Sequence, residues 1–132
     1  MSHQQLSNFI AITRMGEGST GTTSLTEAVD MANFQGVVFL GNSGTTGTAL
    51  TLTASHGAST TGFVALSGGT HATTGGNDIG VLDVYRPRKR YVRCVATSAT
   101  TVNIRMSLYA IRYGPRVIQS STNDTLVVSP DT

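Results

Sequence analysis

Five basic side chains crowd one short stretch of this sequence: Arg86, Arg88, Lys89 and Arg90 stand around Pro87, and Arg93 follows closely. Cations at that density can neutralise phosphates or engage carboxylates. The flanking Tyr85 and Tyr91 could stack on bases. The cluster nevertheless spans a turn between two extended segments, and nothing else in the chain prolongs it into a basic stripe. That disfavours nucleic acid and leaves two readings, a docking edge for carboxylates on a partner protein or a solvated hairpin corner. Arg86, Arg88, Lys89, Arg90 and Arg93 are therefore the candidate contact residues.

Other constellations carry less chemistry. Gly16-Glu17-Gly18-Ser19-Thr20-Gly21 has the GxGxxG spacing, yet no strand–helix–strand unit surrounds it and no acidic residue follows at the ribose-binding distance, which argues against a dinucleotide site. His3, His56 and His71 have no second histidine, cysteine or carboxylate at ligand spacing, so no metal site is expected. His56 reads as a turn histidine closing a strand. Cys94 is the single cysteine, which excludes an intrachain disulfide; alternating with Val92 and Ala96, it reads as a small buried hydrophobe rather than a nucleophile. The carboxylates are scattered and no GxSxG elbow exists. No catalytic residues and no cofactor are expected, and the chain reads as a binding protein rather than an enzyme.

What must position these residues is a β-rich scaffold. The 132 residues fit one domain, residues 1–132. Charged residues are only 12% of the chain, so its surface must be built largely from Thr, Ser and Gly, a neutral polar coat suited to lying against another surface. The start of the chain is polar, and no apolar run approaches a membrane span, so synthesis in a cytoplasm and no membrane contact are expected.

Strands are predicted at Asn8–Met15, Gly36–Leu40 (ended by a Gly41–Gly44 turn), Thr48–Ala54, Phe63–Leu66, Ile79–Tyr85, Arg90–Thr97 and Thr101–Tyr113. In the third quarter of the chain Val92, Cys94 and Ala96 take one face, against Tyr91, Arg93 and Val95. Earlier, Leu50, Leu52 and Ala54 oppose Thr51 and Thr53. Ser24-Leu25-Thr26-Glu27 has capping-box spacing, so residues 24–32 read either as one short helix or as an extended segment. Gly68–Asn77 reads as a flexible polar loop. Apolar residues change parity near Leu108–Ala110, which predicts a β-bulge there or a strand leaving one sheet for another. Residues 117–132 read as a C-terminal arm or edge strand around Leu126-Val127-Val128. Short strands punctuated by Gly and Ser imply an all-β fold, an antiparallel β-sandwich or jelly roll.

The order of several segments then resembles small tailed-phage head proteins. Asp30-Met31-Ala32-Asn33-Phe34-Gln35-Gly36-Val37-Val38-Phe39-Leu40 resembles the first core strand of that family. The Leu/Thr strand from Leu50 to Ser59, the Phe63-Val64 strand, the Asn77-Asp78 turn, Val84-Tyr85-Arg86, Lys89-Arg90-Tyr91-Val92-Arg93 and the closing Tyr113-Gly114-Pro115-Arg116 follow in the family's order. The chain departs from the pattern at Gly57-Ala58, where acidic residues are frequent, and in the length of its tail. The resemblance implies a capsid decoration (cement) protein, a virion structural component on the capsid exterior that binds the major capsid protein, often as a homotrimer. The Arg86–Arg93 corner, the Asn8–Met15 segment and the tail would make the contacts. A minor head, tail or fibre component and a carbohydrate-binding adhesin module are the alternatives; the absence of Trp counts against the latter.

Overall fold

The computed structural model describes residues 9–18, 24–43, 49–73, 78–98 and 106–114, which form eight strands and, among the described residues, no helix. They are β1 (Ile10–Gly18), β2 (Ser24–Asp30), β3 (Gly36–Ser43), β4 (Leu50–Gly57), β5 (Val64–Ala72), β6 (Ile79–Tyr85), β7 (Tyr91–Ser98) and β8 (Met106–Tyr113). Two four-stranded antiparallel sheets result, ordered β1-β8-β3-β6 and β2-β7-β4-β5. The pairs β1–β8, β2–β7, β3–β6 and β4–β5 are those of one long folded hairpin; β8–β3 and β7–β4 pairing rolls it up. This strand order is a jelly roll.

Period-two alternation explains how the sheets face each other. Leu50, Leu52 and Ala54 of β4 and Val92, Cys94 and Ala96 of β7 are wholly buried, with half-buried Thr51, Thr53, Arg93 and Val95 on the opposite face. The facing sheet contributes Val37, Phe39, Met106, Leu108 and Ala110. The sheets approach closely at Gly41, where an added Cβ would lie 2.7 Å from Leu52 Cδ2 and 3.0 Å from Leu50 Cδ2. The expected turn at Gly41–Gly44 is thus displaced: β3 continues through Ser43 because Gly41 lets the second sheet approach and Asn42 still pairs with Ile79 and Ser107. Gly44 lies outside the described residues.

Residues 24–30 are a strand, not a helix. Seven residues pair with β7, from Ser24↔Thr97 to Asp30↔Tyr91, and this ladder overrides the local capping signal. The polar loop expected at Gly68–Asn77 is replaced over Gly68–Ala72 by the second half of β5, which pairs with β4 across a register shift; Thr73 beyond it is buried, and residues 74–77 lie outside the described residues. Nor is His56 in a turn: it lies within β4 opposite Val92.

The parity change in β8 has a different cause from the one expected. Its register with β3 runs unbroken from Gly36↔Tyr113 to Ser43↔Met106. The irregularity belongs to β1, whose partners step from Arg14↔Tyr109 to Gly16↔Leu108, making Met15 the extra, buried residue. Met106, Leu108 and Ala110 keep facing the core, and Tyr109 and Ile111 are apolar residues on the outward face. Residues 1–8, 101–105 and the tail 117–132 lie outside the described residues, as do Ser19-Thr20-Gly21; Gly16–Gly18 are extended within β1.

Candidate functional site

Four strands end and four begin at one end of the sandwich, where Asp30, Tyr85, Tyr91 and Tyr113 come together. The turn 31–35, joining β2 to β3, packs beside the 86–90 connection between β6 and β7. Its shape is dictated locally: Asp30 Oδ1 accepts the Ala32 N–H at 2.9 Å, Phe34 N–H donates to Met31 O at 3.0 Å, and Asn33 takes the left-handed backbone (φ 70°) that Asn tolerates. Met31 N–H donates to Arg90 O (2.7 Å) and Arg86 N–H to Gln35 O (2.8 Å), so backbone bonds tie the two connections together. Arg86 is also left-handed (φ 52°), an uncommon conformation for an arginine that the Gln35 bond helps hold; stored backbone strain of this kind concentrates at binding sites.

An open cleft of about 670 Å³ lies between the two connections, with Asn33, Phe34, Gln35, Arg86, Lys89 and Arg90 in its lining. The structure brings Arg86, Arg88, Lys89 and Arg90 together as exposed residues of one corner. Their charges are not equivalent. Arg90 grips Asp30 with two bonds, Nε–Oδ1 at 3.0 Å and Nη2–Oδ2 at 2.9 Å. The Arg90 guanidinium, aided by the Ala32 N–H, holds the Asp30 carboxyl below the usual carboxylate range. With side chains 58% and 37% exposed, this pair shapes the corner more than it stabilises the fold. Arg86, Arg88 and Lys89 have no carboxylate partner among the described residues, which leaves three cations available to an incoming anion.

Arg93 stands apart from the corner. It is half-buried on the outward face of the β2-β7-β4-β5 sheet, with its guanidinium over the Phe63 ring at 4.6 Å and Nη2 3.5 Å from Ser55 Oγ. Arg112, absent from the sequence-derived set, lies over the Phe34 ring at 4.8 Å and donates from Nη1 to Asp30 O at 2.9 Å; burial pulls its pKa down. Arg86 and Arg90 likewise lie over the rings of Tyr85 and Tyr91. Stacking orients the guanidinium planes while leaving their edges open to carboxylates. Asp30 and Phe34 were invisible as site residues because they lie more than fifty positions from their cationic partners. The Asp-x-x-Asn turn signal was the one local clue.

Elsewhere at this end, the Tyr113 ring covers Gly36, where an added Cβ would lie 2.4 Å from the ring, and its hydroxyl donates to Asp83 Oδ1 at 2.6 Å. Burial first, then this bond, pushes the Tyr113 pKa up to about 12. Among the described residues no group of three or more His, Cys, Asp or Glu could hold a metal ion. Cys94 is buried between the sheets, and burial raises its thiol to about 12.

With this geometry established, comparison places the architecture but not a family. No family model matches the chain, and no curated protein matches it. Among solved structures, the PBSX exported protein XepA superposes with a TM-score of 0.63 at 14% identity, over 99% of this chain and 46% of XepA. The chain thus spans just under half the length of that protein, and at this identity the likeness is one of fold: an antiparallel β-sandwich.

Proposed function

We propose that this chain is a virion structural protein that binds the outer surface of a tailed-phage capsid and cements the shell, docking through its basic end onto carboxylates of the major capsid protein. The observation that carries this reading is charge placement. Arg86, Arg88, Lys89, Arg90 and Arg112, five of the nine Lys and Arg, gather around one end of the sandwich, with Asp30 and Asp83 as their acidic neighbours. Cations therefore outnumber carboxylates at this end among the described residues, and such a local excess steers and orients docking.

The role asks for a rigid scaffold and a contact surface rather than catalysis. A protein that binds the assembled shell and not the free subunits stabilises the shell by mass action. Several copies held together would gain avidity from individually weak contacts.

Quantitative mass spectrometry of purified virions tests the reading. About one copy per major shell subunit is the expected result. A handful of copies per particle would assign the chain to the head–tail connector or a fibre, and its absence from virions would overturn the structural role.

A further inference from the structure

The cleft between the two connections is concave, and a flat charged surface could not fill it. Its volume of about 670 Å³ suits a few side chains of a guest. Part of its lining is apolar: Met31 is buried, Phe34 is half-buried and packed on the core, and Pro87 is half-buried. Arg112 lies over the Phe34 ring at 4.8 Å, which holds the ring in place. Two cations of the lining, Arg86 and Lys89, have no carboxylate partner among the described residues, while the third, Arg90, is held by Asp30. Asn33 and Gln35 are exposed in the same lining and offer side-chain amides, which can both donate to and accept from peptide groups. Asn33 and Arg86 are the two non-glycine residues with left-handed backbone among the described residues, and they line the cleft from opposite connections. Asn tolerates that conformation; an arginine held there is the kind of strain that marks a binding surface.

We infer that this cleft takes a short extended segment of the shell protein in which an apolar side chain lies next to one or two carboxylates. The apolar side chain packs on Met31, Phe34 and Pro87, and the carboxylates meet Arg86 and Lys89. Charge complementarity selects an anionic occupant. Asp30 limits how anionic it is: although held by Arg90, its carboxylate stands beside the cleft and repels a run of negative charge. That limit, with the lack of a longer basic stripe, disfavours the regularly spaced phosphates of a nucleic acid. The apolar lining adds an affinity and a selectivity that exposed cations alone do not supply, because apolar burial in a concave, desolvated pocket is what anchors a guest. The inference rests on the capsid reading for the source of the segment, but not for the chemistry of the cleft.

Peptide titrations of the full chain, followed by amide chemical shifts, test the chemistry, and capsid binding tests the source. Acetyl-Ser-Leu-Asp-Glu-Ser-amide is expected to bind about five-fold or more tightly than acetyl-Ser-Ser-Asp-Glu-Ser-amide or acetyl-Ser-Leu-Asn-Gln-Ser-amide, with shifts centred on residues 31–35 and 86–90. Ala32 is exposed in the lining, so Ala32→Trp fills the cleft and leaves every cation in place. It should abolish the preference for the Leu peptide and weaken capsid binding roughly ten-fold, with unchanged circular dichroism. Arg86→Gln with Lys89→Gln should instead erase the advantage of Asp-Glu over Asn-Gln. Equal binding of the two acidic peptides would overturn the inference and leave carboxylate docking standing. So would capsid binding by Ala32→Trp at the wild-type level. Oligothymidylate bound at the same residues more tightly than the Leu peptide would assign the cleft to phosphates and overturn it as well. A chain that prefers the Leu acidic peptide yet fails to bind capsids would uphold the cleft's chemistry and overturn the capsid as its source.

Discussion

At the scale of single residues, two side-chain hydrogens, one on Tyr113 and one on Cys94, report how the scaffold is made. The Tyr113 phenol lies over Gly36 and donates to Asp83, with a pKa pushed up to about 12 by burial and by that bond. A raised folded-state value means that the neutral phenol stabilises the fold. Its contribution is complete below the ordinary value near 10 and is lost as pH rises from there toward 12. Ultraviolet titration should therefore show one phenol lagging behind a free tyrosine, with alkaline loss of stability over the same window. Gly36→Ala should abolish the lag, because the new Cβ would occupy the space of the ring, 2.4 Å from Cζ. The Cys94 thiol, also raised to about 12 by burial, should resist thiol reagents at pH 8 in the folded protein and react once denaturant opens the core. Rapid labelling of the native chain would contradict this packing.

At the scale of elements, strands were legible where one face is buried and the other is not. Leu50 to Ala54 and Val92 to Ala96 alternate because the sheets trap one set of side chains and leave the other outside. β5 was only partly legible, since most of its residues are exposed and no core face marks where it continues through Gly68–Ala72. β2 was ambiguous because its capping-box spacing is local, whereas the ladder to β7 that makes it a strand is not. β8 misled because apolar residues on both faces resemble a change of register. Just past β5, Thr73 replaces a missing stretch of ladder: its N–H donates to Leu50 O at 2.8 Å and its Oγ1 accepts the Leu50 N–H at 2.8 Å. Thr73→Val keeps the shape but leaves the Leu50 N–H without that acceptor. The expected cost is about 1–3 kcal/mol in urea unfolding, with the slope unchanged. A loss under about 0.5 kcal/mol would mean that the bond contributes little.

At the scale of the whole molecule, the sandwich has a cationic end, and that end gives the clearest test of docking. The basic run was legible in sequence, but its internal division was not: Arg90 is committed to Asp30, Arg93 to Phe63, and Arg86, Arg88 and Lys89 remain for a partner. Removing Arg90 would strip Asp30 of its partner and disturb the 31–35 turn, confounding architecture with contact. Arg86→Gln, Arg88→Gln and Lys89→Gln together leave that pair intact. Exposed charges act chiefly on encounter, over a distance of about 10 Å at 0.1 M salt. The triple variant should thus bind purified capsids roughly ten-fold or more weakly at low salt, mostly through a slower association rate. The gap from the wild type should narrow as salt is raised, because screening removes from the wild type what substitution removed from the variant. Thermal unfolding of the two proteins should coincide. Equal association rates at low salt would show that the cationic end does not face the shell, and a salt-independent deficit would show that these side chains act by packing rather than by charge.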